Sequence, residues 1–268
     1  MNFRFDIVII GDSKTGHEIL DKIAANKPSA NIAFISKKFK STTMHDYVNV
    51  RYFRQEVEYI TYKYRMFGCC LSGGDRVYST HVIVASGLDF EPLMLNNEPI
   101  PCVYTDLDDI PKTAKDQPAL VICNKDSDAK FALEVAKKYK QVYLCSKEVN
   151  IAENVSATTA KKLAKTENLA IIPNTSIKKV FAEKGALQKV ALDNYSEIKC
   201  SAIFAKTDSK PAIKFIPTKI VPRENDYPIV NDNCESSIVP KCFVVGSCLK
   251  KYTKAMEQKL IDTISKDF

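Results

Sequence analysis

Two doubly wound α/β domains, the second inserted into the first, are the fold class that the sequence predicts. Two observations carry this expectation. The order strand–turn–helix–strand occurs at 5–36 and again at 119–146, each copy a βαβ unit of about thirty residues. Many strand-like runs are also continuous stretches rich in Val and Ile rather than alternating ones. That is the texture of strands buried on both faces of a parallel sheet.

Strand-like runs follow in order at FDIVII (5–10), NIAFIS (31–36), VEYITYKY (57–64), RVYSTHVIVAS (76–86), ALVIC (119–123), QVYLCS (141–146), AIIP (170–173), IKKVFA (177–182), QKVAL (188–192), AIFA (202–205) and CFVVG (242–246). Helical spacing covers about 14–27, where Ile19, Leu20 and Ile23 share a face, and about 128–139, where Phe131, Val135 and Tyr139 recur every fourth residue. Two further helices are expected at about 157–166 and 251–265, the last with Tyr252, Met256, Leu260 and Ile264 on one face. Core packing explains all these stripes. Proline-bearing segments at 88–101 and 211–228 separate the halves. The expected domains are 1–100 with 218–268, and 101–217 between them.

Composition narrows the class. The chain has 268 residues, of which 45% are apolar and 26% charged, ordinary for a globular protein able to bury a real core. No apolar run reaches the roughly 18 residues of a membrane helix, and MNFRFDIVII lacks the layout of a signal peptide, so a cytoplasmic location without a membrane segment is expected. Nine cysteines form no C-x-x-C pair and no zinc spacing, and several fall in strand-like runs as small hydrophobes. Cys69 and Cys70, in the turn-like FGCCLSGG, are the expected exposed thiols. The net charge of +7 is spread over scattered lysines and permits weak contact with a polyanion such as RNA without specifying one. Only eight glycines are present, where an average composition gives about nineteen.

The stretch FDIVIIGDSKTGHEIL (5–20) carries the chemistry. An apolar strand runs into Gly11, and a helical pattern follows Gly16, the arrangement of a dinucleotide-binding turn with Ser13 at its middle glycine. Further segments fit the same scheme: VIVASG (82–87), LVICNKDSDAKFA (120–132), AIFAKTDSKP (202–211) and VPKCFVVGSC (239–248). On these five stretches the chain resembles the pyridine nucleotide–disulfide oxidoreductase superfamily, in particular its thioredoxin-reductase-like and rubredoxin- or nitrite-reductase-like members. The resemblance implies two Rossmann-like domains, an FAD domain built from both ends of the chain and an NAD(P)H domain in the middle. It assigns cofactor contacts to Gly11, Ser13, Lys14, Gly16, Gly87, Gly246 and Ser247.

The departures from the family pattern are chemical. Gly11 and Gly16 keep the tight turn and the close helix–strand packing, while Ser13 puts a side chain where the backbone should touch the pyrophosphate. The acid expected after the second strand is replaced by Ser36-Lys37-Lys38, and the family's ribityl-binding aspartate by Ser247. In the middle domain Cys123, Lys125 and Asp128 hold all three glycine positions, and Asp208 replaces the glycine of a G-x-x-P turn. Asp126 and Asp128 would cap the helix but repel a phosphate. NAD(P)H is therefore not expected to bind in the usual mode, and FAD is the one dinucleotide the turn at 11–16 could still hold. His45 and Tyr47, in TTMHDYVNVRYF (42–53), are candidate flavin neighbours or part of a polar surface loop. No dithiol, zinc-protease or nucleophile-elbow motif appears, and His17 stands where a P-loop would need lysine. The three histidines share no metal spacing, and His81 reads as structural.

Fold residues are thus kept while ligand residues are eroded. The expected function is a degenerate flavoprotein-family member, no longer running NAD(P)H chemistry and acting as a binding or assembly component of a larger complex. The alternative is an FAD-dependent oxidoreductase supplied with electrons by a protein donor or small reductant. A third is a redox or nucleotide sensor using the first domain alone.

Overall fold

The computed structural model describes residues 1–39, 47–107, 110, 116–194 and 196–268. The chain forms two units, one of Met1–Asp89 with Lys210–Phe268 and one of Phe90–Ser209. The crossings at 89/90 and 209/210 precede the expected boundaries at 100/101 and 217/218. The proline-bearing segments are not linkers but join the cores. Ile213, Ile216, Ile220 and Val221 are buried in the first unit, and Leu93 and Ile100 pack in the second.

The first unit begins with β1 (Asn2–Arg4), β2 (Ile7–Ile10), α1 (Lys14–Asn26), β3 (Ile32–Ile35) and β4 (Val50–Phe53). It continues with β5 (Val57–Lys63), β6 (Met66–Leu71), β7 (Arg76–Ser79) and β8 (His81–Val84). Its main sheet is parallel throughout, in the order Cys242–Val244, β8, β2, β3, β4. The runs IVII, IAFI and HVIV in it are buried at every position. Such strands must be apolar on both faces, which is why they lack alternation. The C-terminal helix Lys254–Asp267 packs on α1. It is anchored where His81 Nε2 meets Asp267 Oδ2 at 2.9 Å. His81 is buried and structural, as read.

A second sheet of this unit has the order β1-β7-β6-β5. It corrects two expectations. RVYSTHVIVAS is two strands, because Thr80 breaks it: its hydroxyl donates to Asp6 O, and the chain passes from one sheet to the other. FGCCLSGG is not a turn there. β6 carries both cysteines, with Cys69 fully buried and Cys70 half-buried. Part of the supposed flavin loop, Val50–Phe53, is the edge strand β4. Tyr47 packs on the core and donates to Asp21 Oδ1 at 3.1 Å, and His45 lies outside the described residues.

The second unit contains β9 (Val103–Tyr104), β10 (Ala119–Ile122), α2 (Asp126–Ala136), β11 (Val142–Cys145), α3 (Ala157–Ala164) and β12 (Leu169–Ile172). The antiparallel β13 (Ile177–Glu183), β14 (Ala186–Leu192) and β15 (Glu197–Lys199) follow, then β16 (Ala202–Phe204). Its parallel sheet has the order β9-β16-β10-β11-β12. Both predicted βαβ units are present, and the fold is the expected pair of doubly wound α/β units.

Burial predicts thiol reactivity. Burial pushes the Cys200, Cys234 and Cys242 thiols up to about 12 and Cys123 up to about 11, and raises Cys69 further still. Brief exposure of the native protein to N-ethylmaleimide, read by mass spectrometry, should label the half-buried Cys70 and Cys102 first. Rapid labelling of Cys69 would contradict its place in the core.

Candidate functional site

The cofactor residues named from the sequence converge at one edge of the first unit. They follow the carboxyl ends of neighbouring parallel strands: Gly11, Ser13, Lys14 and Gly16 after β2, Gly87 after β8, and Gly246 and Ser247 after Cys242–Val244. This edge is where open α/β sheets bind ligands. Gly11 has φ +107°, and a side chain there would place Cβ 2.5 Å from Ala85 O. A Cβ on Gly16 would lie 2.7 Å from Gly11 O and 3.2 Å from Ala85 Cβ. Both glycines are thus required by protein packing, before any ligand is considered. Gly246 and Gly87, also left-handed, lie against Thr15 and Ser247 respectively.

The polar groups are directed elsewhere. Ser13 caps α1, its Oγ accepting the Gly16 N–H at 3.1 Å. Lys14 is exposed and extends toward Glu18, 3.8 Å away. Ser36 Oγ donates to Lys38 O, and Ser247 is exposed. Beside the turn a cavity of about 680 Å³ is bordered by Gly11, Ser36, Ser86 and Phe215, and by the charged groups Asp12, Glu56, Glu58, Asp89, Lys37 and Lys214. Lys37 is paired with Glu56 at 2.9 Å.

Asp12 matters most here, and sequence reasoning passed over it. Its carboxylate lies at the turn and bonds His17 Nε2, while the other ring nitrogen of His17 is buried without a partner. The pair straddles the helix cap at a spacing of five, which no helical periodicity would flag. The turn and the cavity suit a dinucleotide in shape and size. Asp12 nevertheless borders the cavity at this turn, with Ser13 capping the helix and Lys14 turned to Glu18. Around the cavity the carboxylates Asp12, Glu56, Glu58 and Asp89 outnumber Lys37 and Lys214, a balance unfavourable to the pyrophosphate of FAD held in the family's manner.

The turn before α2 has its own anion in place. Asp128 is 1% exposed, and its Oδ2 accepts the N–H groups of Asn124 at 3.0 Å and Lys125 at 3.2 Å. These are donors that a bound phosphate would need. Asp126 is held well below the usual carboxylate range, first by Lys130 and then by the Ser156 N–H. Cys123 is buried, its thiol donating to Lys125 O. Among the described residues, no group of three or more His, Cys, Asp or Glu side chains could hold a metal, and no helix is long and apolar enough to cross a membrane.

A chain with two such units and two such turns belongs to a recognisable class. The sequence profile of the pyridine nucleotide-disulphide oxidoreductases matches residues 7–246, and the chain belongs to that family. Solved structures share the fold. Thioredoxin reductase from Lactococcus lactis, in its FR conformation, aligns with a TM-score of 0.72 at 15% identity, covering 98% of this chain and 100% of that one. Thioredoxin reductase from T. acidophilum aligns with a TM-score of 0.71 at 15% identity, covering 98% and 97%. A ferredoxin reductase from Rhodopseudomonas palustris gives 0.71 at 15% identity, over 97% of this chain and 76% of that one. No curated protein sequence matches. The resemblance drawn from five short stretches therefore holds for the family and the fold.

Proposed function

We propose that this chain is a family member that has given up NAD(P)H chemistry and serves as a binding or assembly component for a protein partner or larger complex. The observation that carries this reading is the buried Asp128 carboxylate, which takes the N–H groups of Asn124 and Lys125 at the head of α2. A nicotinamide dinucleotide laid over that turn would have to displace a negative group already satisfied by these donors. Lys125 adds a side chain where the family has a glycine that lets the phosphate approach.

Calorimetric titration with NADH and NADPH should show no binding up to about 1 mM, because the internal carboxylate holds the donors. Dissociation in the low micromolar range for either nucleotide would overturn the reading. Asp128→Ala should destabilise the protein by about 1.5–3 kcal/mol, the worth of hydrogen bonds to a charged group. It should not create NADH binding, since Lys125 remains.

A second reading is favoured by one observation, the cavity of about 680 Å³ beside the turn at 11–16. On it the protein retains FAD and receives electrons from a protein donor or small reductant. Purified protein with flavin absorbance, or one that acquires it on incubation with FAD, supports this alternative. A colourless protein that stays empty supports the first.

A further inference from the structure

The solvent face of the β1-β7-β6-β5 sheet plays no part in either turn. Register fixes what it displays. One row across the strands is Asn2, Arg76, Cys70, Tyr59, and the next is Arg4, Tyr78, Gly68, Thr61. Arg4 and Arg76 are exposed, Tyr59 is 44% exposed, and the Tyr78 ring lies over Gly68, whose missing side chain makes room for it. Neither row contains a carboxylate. Of the nearest acids, Asp75 binds the N-terminal amine at 2.7 Å, and Glu58, next to Tyr59 in β5, borders the cavity described above.

The hairpin joining β5 to β6 adds a second, independent feature. Tyr64 and Arg65 both have left-handed backbones, with φ of 52° and 59°. Such tight hairpin positions are normally filled by Asn and Gly, and bulky side chains are disfavoured there. Here they carry an aromatic ring that is 98% exposed and an exposed guanidinium. Backbone strain that serves no packing is a pointer to use.

We infer that this sheet face binds single-stranded nucleic acid, with Tyr59, Tyr78 and Tyr64 offering rings to bases and Arg4, Arg76 and Arg65 meeting phosphates. Aromatic rings interleaved with cations on an open sheet are how unstacked strands are held without sequence preference. Tyr59 and Tyr78 stand two strand spacings and one row apart, roughly 12 Å, so separate bases can be engaged. An acidic peptide would use the guanidinium groups but leave the rings without a role, and the face has as many rings as arginines.

The test is fluorescence anisotropy of a labelled oligouridylate 12-mer with the full chain at about 50 and 200 mM salt. Binding should weaken sharply with salt. The double variant Arg4→Ala/Arg76→Ala should flatten the logarithmic salt slope by about 1.4, two single-strand phosphate contacts. Tyr59→Ala should weaken binding roughly tenfold while leaving that slope unchanged. All three substitutions are on exposed positions, and a circular dichroism melt verifies that each variant is folded. No binding at 200 μM protein in low salt would overturn the proposal. So would binding indifferent to these variants but lost in Lys162→Ala/Lys165→Ala at the C-terminal end of α3. Polyglutamate bound as tightly as the oligonucleotide, with the same losses in the variants, would assign the face to an acidic protein segment and overturn it too.

Discussion

Replacing Gly16 with valine should lower the melting temperature by about 4–12 °C, with or without nucleotide present. The cause is local and steric. A Cβ at this position comes within 2.7 Å of the Gly11 carbonyl, a backbone atom that cannot swing away as a flexible side chain could. Two further methyl groups must then lever α1 away from Ala85. Overpacking of this kind costs about 2–3 kcal/mol, and for a chain of this size each kcal/mol moves the midpoint by roughly 2–4 °C. Gly11→Ala should be comparably severe, since it adds an unfavourable φ of +107° to a Cβ 2.5 Å from Ala85 O. Gly185→Ala is the control. Its φ is +79°, but no atom lies within 4 Å of the new Cβ, so only the conformational cost remains, about 1 kcal/mol. Thermal melts by circular dichroism decide the matter. If Gly16→Val melted with the wild type, the close approach of helix and turn would be wrong, and with it the geometry of the whole site.

The second large effect is expected at Glu257, on the face of the C-terminal helix toward α1. Its side chain is fully buried and accepts from Lys22 Nζ at 2.6 Å, Lys254 Nζ at 3.1 Å and the Tyr252 hydroxyl at 3.0 Å. Burial alone would raise its pKa, but the bonds from Lys22, Lys254 and Tyr252 prevail and hold it below the ordinary value. Glu257→Ala removes the common acceptor of three donors and leaves a void, and should destabilise by about 3 kcal/mol. Glu257→Gln keeps the shape and should cost less. The folded pKa is depressed, so this stabilisation is fully present above the unfolded value of about 4.3 and is lost as pH falls through the folded one. Urea melts should therefore show the gap between wild type and Glu257→Gln closing as pH is lowered from 6 to 3. A gap that widened with acid would mean that Glu257 is protonated in the native state.

The sequence spoke clearly where burial on both faces forces apolar runs. IVII, IAFI, ALVI and CFV all became parallel strands, and the four helices lie within a few residues of their expected limits. It was ambiguous where one strand ends and another begins without a turn signal. RVYSTHVIVAS shows a single apolar texture, and only the tertiary bond from Thr80 to Asp6 reveals the break. β6 was hidden for a different reason. Gly68 and the Gly73-Gly74 pair suggest a loop, yet Gly68 serves to seat the Tyr78 ring in the middle of a sheet. At the candidate site the glycines could be read because backbone geometry demands them. The Asp12–His17 pair and the carboxylates bordering the cavity could not, since they are brought together by loop conformation and by strands distant in the chain.

Asp128 has one more consequence. A carboxylate carried three and four residues from the two N–H groups it binds is a ligand that never dissociates into bulk solution. Its effective concentration at the head of α2 lies far above what any free phosphate compound reaches, because its position is set by the chain itself. Competition there is not between two solutes but between a solute and a tether, and raising the nucleotide concentration does little to shift it. Nor would deleting the tether be enough to reopen the turn. The helix would lose the group that caps its first turn, and Lys125 would still stand in the way. On the proposed reading, removal of this one carboxylate costs stability at the head of α2 and gains no ligand in return.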